Sequence, residues 1–309
     1  MLRESRFARG WRSAKFGWMR RTLWMVPVLL GSGVVACGDS GKDGVESEPE
    51  PKLSNAEIAT KVLLEGVQAG DVAVIQQYVS EDYVQHGSLA PDGRSGLLAF
   101  AVLADKIQYE VHRTLEDGDY VALHSTYTFP DNTKSVVFDV FRLDSGLLVE
   151  HWDAVQALPE AEPGSHGMTD GVSDVTDLEA TEQNRALVQG FVQVVMKGGD
   201  LTRVPEFVSS DQFIQHDPEV GDGIDAYRAY VVGLAEEGYI RSIGRSPIVV
   251  AEGNFVLVGS EGTTGAPNDQ HYAIFYDLFR ESAGRIVEHW DVIPALPDAA
   301  TLPHQNGYF

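Results

Sequence analysis

Two patterns of apolar positions follow each other along the chain, and the succession occurs twice. Residues 54–106 show the three- or four-residue spacing of helices, and residues 108–155 show the alternation of strands. Residues 181–237 and 240–293 show the same two patterns in the same order. The helical apolar positions of the first segment include Ile58, Val62, Leu63 and Val67. The pattern therefore predicts helices followed by antiparallel strands in both halves.

This order of elements indicates the α+β class, with a curved sheet wrapped over helices. A capping box, Ser54-x-x-Glu57, opens the first helix, and Asp71 can cap a second. In the first half we expect helices over residues 54–67, 71–78 and 95–106, and strands over 108–115, 120–129, 134–143 and 147–155. In the second half we expect helices over residues 181–197, 200–208 and 223–237.

A long internal repeat relates the two halves. Asp139–Pro159 (DVFRLDSGLLVEHWDAVQALP) aligns with Asp277–Pro297 (DLFRESAGRIVEHWDVIPALP) without a gap, at an offset of 138 residues. Self-similarity of this kind at a fixed offset indicates a tandem duplication. We therefore expect two domains, over residues 54–159 and 180–309.

The N-terminal segment resembles the leader of a bacterial lipoprotein. Seven cations and one acid occupy the first 21 residues, and an uncharged, largely apolar run follows over Thr22–Ala36. This run is shorter than the about 20 residues that a membrane-spanning helix needs, so residues 1–36 are predicted to be a signal peptide. Val34-Val35-Ala36-Cys37 resembles the lipobox, in which the cysteine becomes lipidated.

Cys37 is the only cysteine of the chain, so the exported protein would fold without disulfides. Lipidation would anchor it to a membrane of the cell envelope, as a periplasmic or cell-surface protein. The alternative is an ordinary thiol in an uncleaved leader. The start of translation, Met1 or Met19, also stays open.

Two segments have the composition of flexible tethers. Residues 37–53 and 160–179 are rich in glycine, serine, proline and acidic residues and carry few apolar side chains. Segments of this kind cannot bury a core. We therefore expect a disordered tether behind the lipidated cysteine and a linker between the two domains.

The charge of the chain argues against nucleic acid as a partner. The formal net charge is −23, and loss of the leader, with its seven cations and one acid, lowers it by six to about −29. A surface this acidic repels phosphates, and no basic patch offsets it. It also repels anionic lipid, so membrane attachment would rest on the acyl chains alone.

The last hairpin of each repeat places an acid and an imidazole on one face. A three-residue loop, Asp144-Ser145-Gly146, would put Asp139 opposite His151. Because side chains alternate along a strand, His151 and Asp153 share a face with apolar neighbours. A carboxylate against apolar walls can act as a general base. The alternative is a buried hydrogen bond that only pins the hairpin.

Three motifs resemble the SnoaL-like family of the nuclear transport factor 2-like superfamily. They are the Gln-His element (Gln85-His86 and Gln215-His216), the Asp-x-Phe-Arg strand and the closing Glu-His-Trp-Asp. The resemblance covers residues 55–159 and 180–297. It implies two cone-like α+β barrels, each with N-terminal helices wrapped by a curved antiparallel sheet around a pocket for a hydrophobic small molecule. Founding members are polyketide cyclases that use acid/base chemistry with neither metal nor cofactor.

Together with the hairpin face, the resemblance assigns candidate residues. The candidate catalytic residues are Asp139, His151, His86 and His112 in the first repeat and Asp277, His289 and His216 in the second. The candidate substrate-binding residues are Arg113, His124, Asp153, Asp291 and Arg245. The second repeat has glycine where the first has His112 and His124, so the first repeat is the stronger candidate for catalysis.

Three functions stay open. The first is a cofactor-independent enzyme of the aldol cyclase or isomerase type, in which Asp139 removes a proton next to a carbonyl. The second is a ligand-binding module without turnover. The third is a scaffold for an envelope partner, with the two repeats packed as an internal pseudo-dimer. No metal is expected, although His86, His151 and Asp153 could in principle hold one.

Overall fold

Each half of the chain folds as helices combined with a five-stranded sheet. The computed structural model describes residues 52–104, 106–159 and 166–309. The predicted signal peptide, the lipidation site Cys37, most of the predicted tether and residues 160–165 of the predicted linker lie outside the described residues. Within the described part of the chain, no helix is long and apolar enough to cross a membrane.

The helices of the N-terminal half lie close to their predicted positions. They are α1 (Asn55–Lys61), which continues as a π-helical segment (Val62–Gln68), α2 (Val72–Tyr78) and α3 (Gly93–Ala104). The Glu57 amide donates to Ser54 Oγ at 3.2 Å, and the Ser54 amide donates to Glu57 Oε2 at 2.7 Å. Asp71 accepts from the Ala73 amide at the start of α2, at 2.9 Å. Both predicted helix caps are confirmed.

The N-terminal sheet contains one strand more than the alternation predicts. Its strands are β1 (Val79–Gln85), β2 (Gln108–Asp117), β3 (Tyr120–Thr128), β4 (Lys134–Asp144) and β5 (Leu147–Ala157). Their spatial order is β1-β5-β4-β3-β2, with β1 parallel to β5 and the other pairs antiparallel. The alternation fails to reveal β1 because consecutive polar residues, Ser80-Glu81-Asp82, interrupt it.

The C-terminal half repeats this order. Its helices are α4 (Thr181–Phe191), which continues as a π-helical segment (Val192–Met196), α5 (Val204–Phe207) and α6 (Ile224–Glu236), with 3₁₀ turns at Leu178–Ala180, Leu201–Arg203 and Ala299–Thr301. Its strands are β6 (Ile214–Gln215), β7 (Ile240–Glu252), β8 (Phe255–Ala266), β9 (Asp269–Ser282) and β10 (Arg285–Val292). The order β6-β10-β9-β8-β7 matches that of the first sheet. The protein therefore has the predicted α+β class with two cone-like units.

We call residues 53–159 the N-terminal lobe and residues 178–297 the C-terminal lobe. The inner face of each sheet packs on its own helices in a separate apolar cluster. The outer faces of both sheets contribute to one further cluster, which includes Phe138, Trp152, Tyr276 and Trp290. Leu53–Phe309 accordingly forms one compact unit.

The β4–β5 hairpin differs from the prediction in its turn. Ser145 and Gly146 alone form the turn, with φ values of 53° and 81°, so that Asp144 pairs with Leu147. Left-handed conformations at both central residues are typical of two-residue hairpin turns. A second shift follows at Val149, which is the extra residue of a β-bulge.

These two shifts correct the predicted pairing. Asp139 lies opposite Asp153, and His151 lies opposite Phe141, so the predicted direct pairing of Asp139 with His151 is wrong. Two shifts of one residue add up to a whole period of the strand, which returns His151 to the face of Asp139. In the second hairpin Asp277 likewise lies opposite Asp291 rather than its histidine.

Candidate functional site

In the N-terminal lobe the predicted acid and imidazole meet in a buried hydrogen-bond network. His151 Nε2 lies 3.1 Å from Asp139 Oδ1, and the Tyr127 hydroxyl donates to Asp139 Oδ2 at 2.7 Å. His151 Nδ1 lies 2.8 Å from Gln85 Oε1. The Gly87 amide donates to the same oxygen, which makes it an acceptor and His151 Nδ1 a donor. Both oxygens of Asp139 and both nitrogens of His151 are therefore occupied.

Aromatic side chains fill the interior around this network. Tyr109 packs edge-on to Tyr127 with ring centroids 4.3 Å apart, and Tyr83 and Phe141 stack with His151 at 6.5 and 4.5 Å. All five side chains are buried. Burial and then the neighbouring carboxylate raise the pKa of Tyr127 well above its usual value, so its hydroxyl keeps its proton. The Asp–His pair of this lobe is thus saturated.

Asp153 lies beside the network. Burial raises its pKa to about 6. A Cβ on Gly87 would lie 2.3 Å from Asp153 Oδ2, so glycine leaves the room that this carboxylate needs. Asp139, His151 and Asp153 each offer a ligand atom within 4.8 Å of the others, which is close enough to hold a metal ion. Because Nδ1 of the histidine donates to Gln85, a metal would have to replace its Nε2 contact with Asp139.

The C-terminal lobe repeats the pair but leaves it incomplete. His289 Nε2 lies 3.2 Å from Asp277 Oδ1, and His289 Nδ1 lies 2.9 Å from Gln215 Oε1. Phe279 stacks on His289 with centroids 4.7 Å apart, as Phe141 does on its histidine. Asp277 Oδ2 and Gln215 Nε2 are buried, and neither has a hydrogen-bond partner in the described part of the chain. A carboxylate oxygen and an amide group are therefore left unsatisfied by the described chain.

A single glycine accounts for the open carboxylate oxygen. In the registers of the two sheets, Gly262 stands where the N-terminal lobe has Tyr127. A Cβ at Gly262 would lie 1.8 Å from the carbonyl oxygen of Ser242, so no side chain fits there. The hydroxyl that saturates Asp139 therefore has no counterpart at Asp277.

Arg241 brings a cation into the same interior. Its Nη2 donates to the Tyr230 hydroxyl at 3.3 Å, and its guanidinium lies 5.8 Å from the centroid of the Phe275 ring. Its Nε is buried and has no hydrogen-bond partner among the described residues. Ser242 matches Gln108 in the registers of the two sheets, so the residue before it, Arg241, corresponds to the buried Ile107 just before β2.

Two further carboxyl groups lie near the C-terminal pair. Asp291 lies opposite Asp277, and Asp217 follows the Gln-His element where the first repeat has Gly87. Burial, and next the Asp217 carboxylate, raise the pKa of Asp291 to about 8, which favours its protonated form. Burial lowers the pKa of His289, but the hydrogen bond to Asp277 and the surrounding carboxylates outweigh burial and raise it.

The histidines of the Gln-His elements, His86 and His216, lie on the outer faces of the sheets. Each stacks on the tryptophan of its own repeat, with centroids 5.1 and 4.5 Å apart. Each also contacts the glutamate of its Glu-His-Trp-Asp motif, at 3.0 and 2.8 Å. Neighbouring residues of a strand point to opposite faces, so Gln85 faces the interior and His86 does not. His86 and His216 therefore do not lie beside the Asp–His pairs, as the sequence led us to expect, but on the opposite face of each sheet.

The remaining candidates also lie away from the two Asp–His pairs. Arg113 donates to three backbone carbonyls of residues 169–172, and its guanidinium lies 4.3 Å from the tryptophan ring of the C-terminal lobe. His124 contacts Arg113, and His112 contacts a threonine hydroxyl beside it. Arg245 has a side chain 60% exposed and pairs with a glutamate on the neighbouring strand. The structure joins none of these residues to an acid–imidazole pair.

The sequence motifs do not include three residues of these interiors: Tyr127, Asp217 and Arg241. The signal was a difference between the copies rather than a motif. A strand-by-strand comparison sets Tyr127 against Gly262 and Ile107 against Arg241. That comparison needs the registers of β2 with β3 and of β7 with β8, where bulges shift the alignment.

Comparison with known proteins identifies a family domain in the N-terminal lobe. The model of the SnoaL-like domain matches residues 61–151. No curated protein matches the chain. Similar solved structures include IdmH of Streptomyces antibioticus, provisionally assigned as a polyketide cyclase (18% identity, 34% of this chain, 93% of that chain, TM-score 0.30). Another is a protein of Kribbella flavida provisionally assigned as a ketosteroid isomerase (23% identity, 40% of this chain, 90% of that chain, TM-score 0.30).

Proposed function

We propose that the C-terminal lobe binds a small carbonyl compound and that its Asp277–His289 pair transfers a proton to and from it. The observation that carries the proposal is the free carboxylate oxygen of Asp277, which is buried and has no partner in the described chain. In the N-terminal lobe Tyr127 occupies the equivalent oxygen. A general base needs a free acceptor within reach of the proton that it takes. The C-terminal lobe therefore becomes the better candidate for catalysis, in contrast to the expectation from the sequence.

The residues of the lobe divide the chemistry between them. Asp277 Oδ2 would take a proton from the carbon next to the carbonyl, and the electron pair of the broken C–H bond would form the enolate. Negative charge would collect on the former carbonyl oxygen, where the protonated Asp291 can donate a hydrogen bond. His289 would hold Asp277 in place through its other oxygen. Return of the proton to the same carbon gives exchange, and in a substrate whose β and γ carbons are joined by a C=C bond its return to the far carbon of the dienolate gives isomerisation; neither needs a redox cofactor.

The N-terminal lobe would then serve as a scaffold. Its Asp139–His151 pair is fully hydrogen-bonded among buried tyrosines, which is the arrangement of a pair that pins a hairpin. The protein as a whole would be an exported, lipid-anchored member of the cell envelope, attached through Cys37. Support for this part of the proposal comes from the basic leader, the short apolar run and the lipobox-like residues.

Proton exchange tests the catalytic proposal directly. The chain from Leu53 to Phe309, which forms one compact unit, would be incubated in D₂O with a series of small ketones and keto acids. Loss of the proton next to the carbonyl would be followed by NMR. Asp277→Asn should lower the exchange rate about 10²-fold or more, because positioned general bases typically contribute that much.

Asp139→Asn is the matched control, since it removes the same group from the saturated pair. It should leave the exchange rate of the folded protein within about threefold of the wild type. Equal losses in both variants would overturn the proposal. Binding without any exchange would make the lobe a ligand-binding module.

A further inference from the structure

Arg241 lies in the C-terminal lobe near several carboxyl groups, but it forms no ion pair in the described part of the chain. Within the described part of the chain its side chain makes one hydrogen bond, the 3.3 Å contact with the Tyr230 hydroxyl, and its Nε is buried without a partner there. Charged groups are rarely enclosed in proteins unless they are paired, because desolvation of an unpaired charge is costly. A half-buried guanidinium whose Nε–H is buried and free therefore needs an explanation.

The fold itself does not require this cation. The N-terminal lobe has the same strand order and carries Ile107 at the equivalent place, 8% exposed within its apolar core. An aliphatic side chain thus satisfies the packing of this position. Arg241 therefore gives the interior of the C-terminal lobe a charge that the N-terminal lobe lacks, while the strand order of the two lobes is the same.

Burial lowers the pKa of Arg241, but the surrounding Tyr230, Asp291, Asp217 and Asp277 outweigh burial and raise it. No Asp or Glu of the described chain lies in ion-pair contact with Arg241, and Asp277 is engaged by His289. Burial raises the pKa values of both Asp217 and Asp291, which favours their neutral forms. None of these carboxyl groups bonds the guanidinium, so its Nε–H remains an unpaired donor for an acceptor atom of a ligand.

Gln215 adds a second donor on the same side of the pair. Its Oε1 accepts from His289, and its Nε2 is buried without a partner among the described residues. The unpartnered groups beside the Asp277–His289 pair in the described chain include two donors, Arg241 Nε and Gln215 Nε2, and one acceptor, Asp277 Oδ2. Guanidinium groups match the planar geometry of a carboxylate, and a ligand that also presents an acidic proton would satisfy the acceptor.

We infer that the C-terminal lobe takes a small keto carboxylate, whose carboxylate binds Arg241 and whose acidic carbon faces Asp277 Oδ2. This inference rests on the proposed function, because it assigns a substrate class to the same site. Arg241 is the specificity-determining residue: it separates anionic keto compounds from neutral ketones of the same shape. A neutral ligand would leave the guanidinium desolvated and unpaired.

Thermal unfolding of the chain from Leu53 to Phe309 provides the test. Keto acids of increasing length, from pyruvate through levulinate to 7-oxooctanoate, would each be compared with the corresponding keto amide at equal ionic strength. Ligands that bind only the folded state raise the melting temperature with concentration. At least one carboxylate should raise it by several degrees, and its amide should not.

Two variants locate the effect. Arg241→Met, which imitates the apolar residue of the N-terminal lobe, should weaken carboxylate binding at least tenfold. Arg245→Met is the matched control on the same strand, because its side chain is largely exposed, and it should respond as the wild type does. Equal responses to acids and amides, no response to any acid, or an unchanged response in Arg241→Met would each overturn the inference.

The outcome is separable from that of the proton-exchange experiment. Stabilisation by a keto acid that is lost in Arg241→Met supports the inference even where no proton exchanges. Exchange that is lost in Asp277→Asn, with acids and amides binding equally, keeps the proposed function and removes this inference alone.

Discussion

Tyr127 and Gly262 give the same acid–imidazole pair two different environments. The Tyr127 hydroxyl occupies the second oxygen of Asp139, whereas the backbone around Gly262 leaves no space for a side chain. One pair is therefore closed and the other retains an unpaired acceptor. At the scale of single residues, the chemical difference between the lobes depends on what stands beside the motif rather than on the motif itself.

The hydroxyl of Tyr127 should matter for stability. Tyr127→Phe should lower the free energy of unfolding by about 1.5–3 kcal/mol, the range for buried hydrogen bonds to charged groups. Tyr83→Phe is the matched control, because the Tyr83 hydroxyl is buried without a partner in the described chain. Its removal should be neutral or stabilising. Urea unfolding measures both, and equal losses would show that Tyr127 contributes nothing specific to the network.

Glu281 is a second residue-scale difference between the lobes. It is 2% exposed, and neither carboxylate oxygen has a side-chain or backbone partner in the described chain. The repeat sets it against the fully packed Leu143. Burial raises its pKa well above the ordinary value, so the folded protein holds it as a neutral acid.

This raised pKa predicts a defined pH dependence. Below about pH 4 Glu281 is protonated in both the folded and the unfolded protein. As the pH rises, Glu281 ionises first in the unfolded protein, so the free energy of unfolding falls until the pH passes the pKa of the folded state. Relative to Glu281→Gln, the wild type should lose up to about 1.4 kcal/mol per pH unit across this window. Glu281→Leu should be about 2–4 kcal/mol more stable at pH 7. Denaturant unfolding at pH 5 and 7.5 tests this; parallel profiles would contradict it.

At the scale of elements, periodicity was sufficient for most of the fold. Helices α1 to α3 and strands β2 to β5 lie within a few residues of their predicted bounds, because each buries one regular face. Strand β1 was missed, since two of its polar residues face solvent and interrupt the alternation. The registers were missed because a bulge adds one residue without changing the composition of a strand.

The same elements explain which site residues could be predicted. Asp139 and His151 lie on one hairpin, so local alternation placed them together even with the wrong register. Gln215 and Arg241 come near the Asp277–His289 pair only because strands from distant segments pair in one sheet. Periodicity carries no information about which strands pair. His86 was misplaced because its neighbour Gln85 faces inward, and adjacent residues of a strand face opposite ways.

At the scale of the whole molecule, each lobe is held by the segment that follows the other lobe. We call residues 166–176 the linker strap and residues 302–309 the tail strap. The carbonyl of Gly167 in the linker strap lies 2.7 Å from His216 Nδ1 of the C-terminal lobe. The carbonyl of Gly307 in the tail strap lies 3.2 Å from His86 Nδ1 of the N-terminal lobe. The outward histidines thus connect the two straps to the lobes through backbone carbonyls.

Removal of the tail strap should loosen the N-terminal lobe. His304 Nε2 lies 2.8 Å from the Gly87 carbonyl, and Asn306 donates to the Gln85 carbonyl at 2.9 Å. A chain ending at Pro303 loses these contacts, so backbone hydrogen exchange should accelerate in β1 and at Gly87. Exchange in β6 should change little. Asn306→Ala, which keeps the tail strap, should accelerate exchange less at the same amides. Equal acceleration in both lobes would show that the tail strap does not stabilise the N-terminal lobe specifically.

The tail strap also has a consequence for the order in which the protein matures. A chain is synthesised from its N-terminus, so the N-terminal lobe emerges long before residues 302–309 exist outside the ribosome. Gly87 bonds the tail through its carbonyl and supports Gln85 of the acid–imidazole network through its amide. The N-terminal lobe is therefore synthesised first but gains its last contacts only when the tail strap has been made. A chain that ends before the tail strap would have a complete C-terminal lobe and an N-terminal lobe that lacks these contacts.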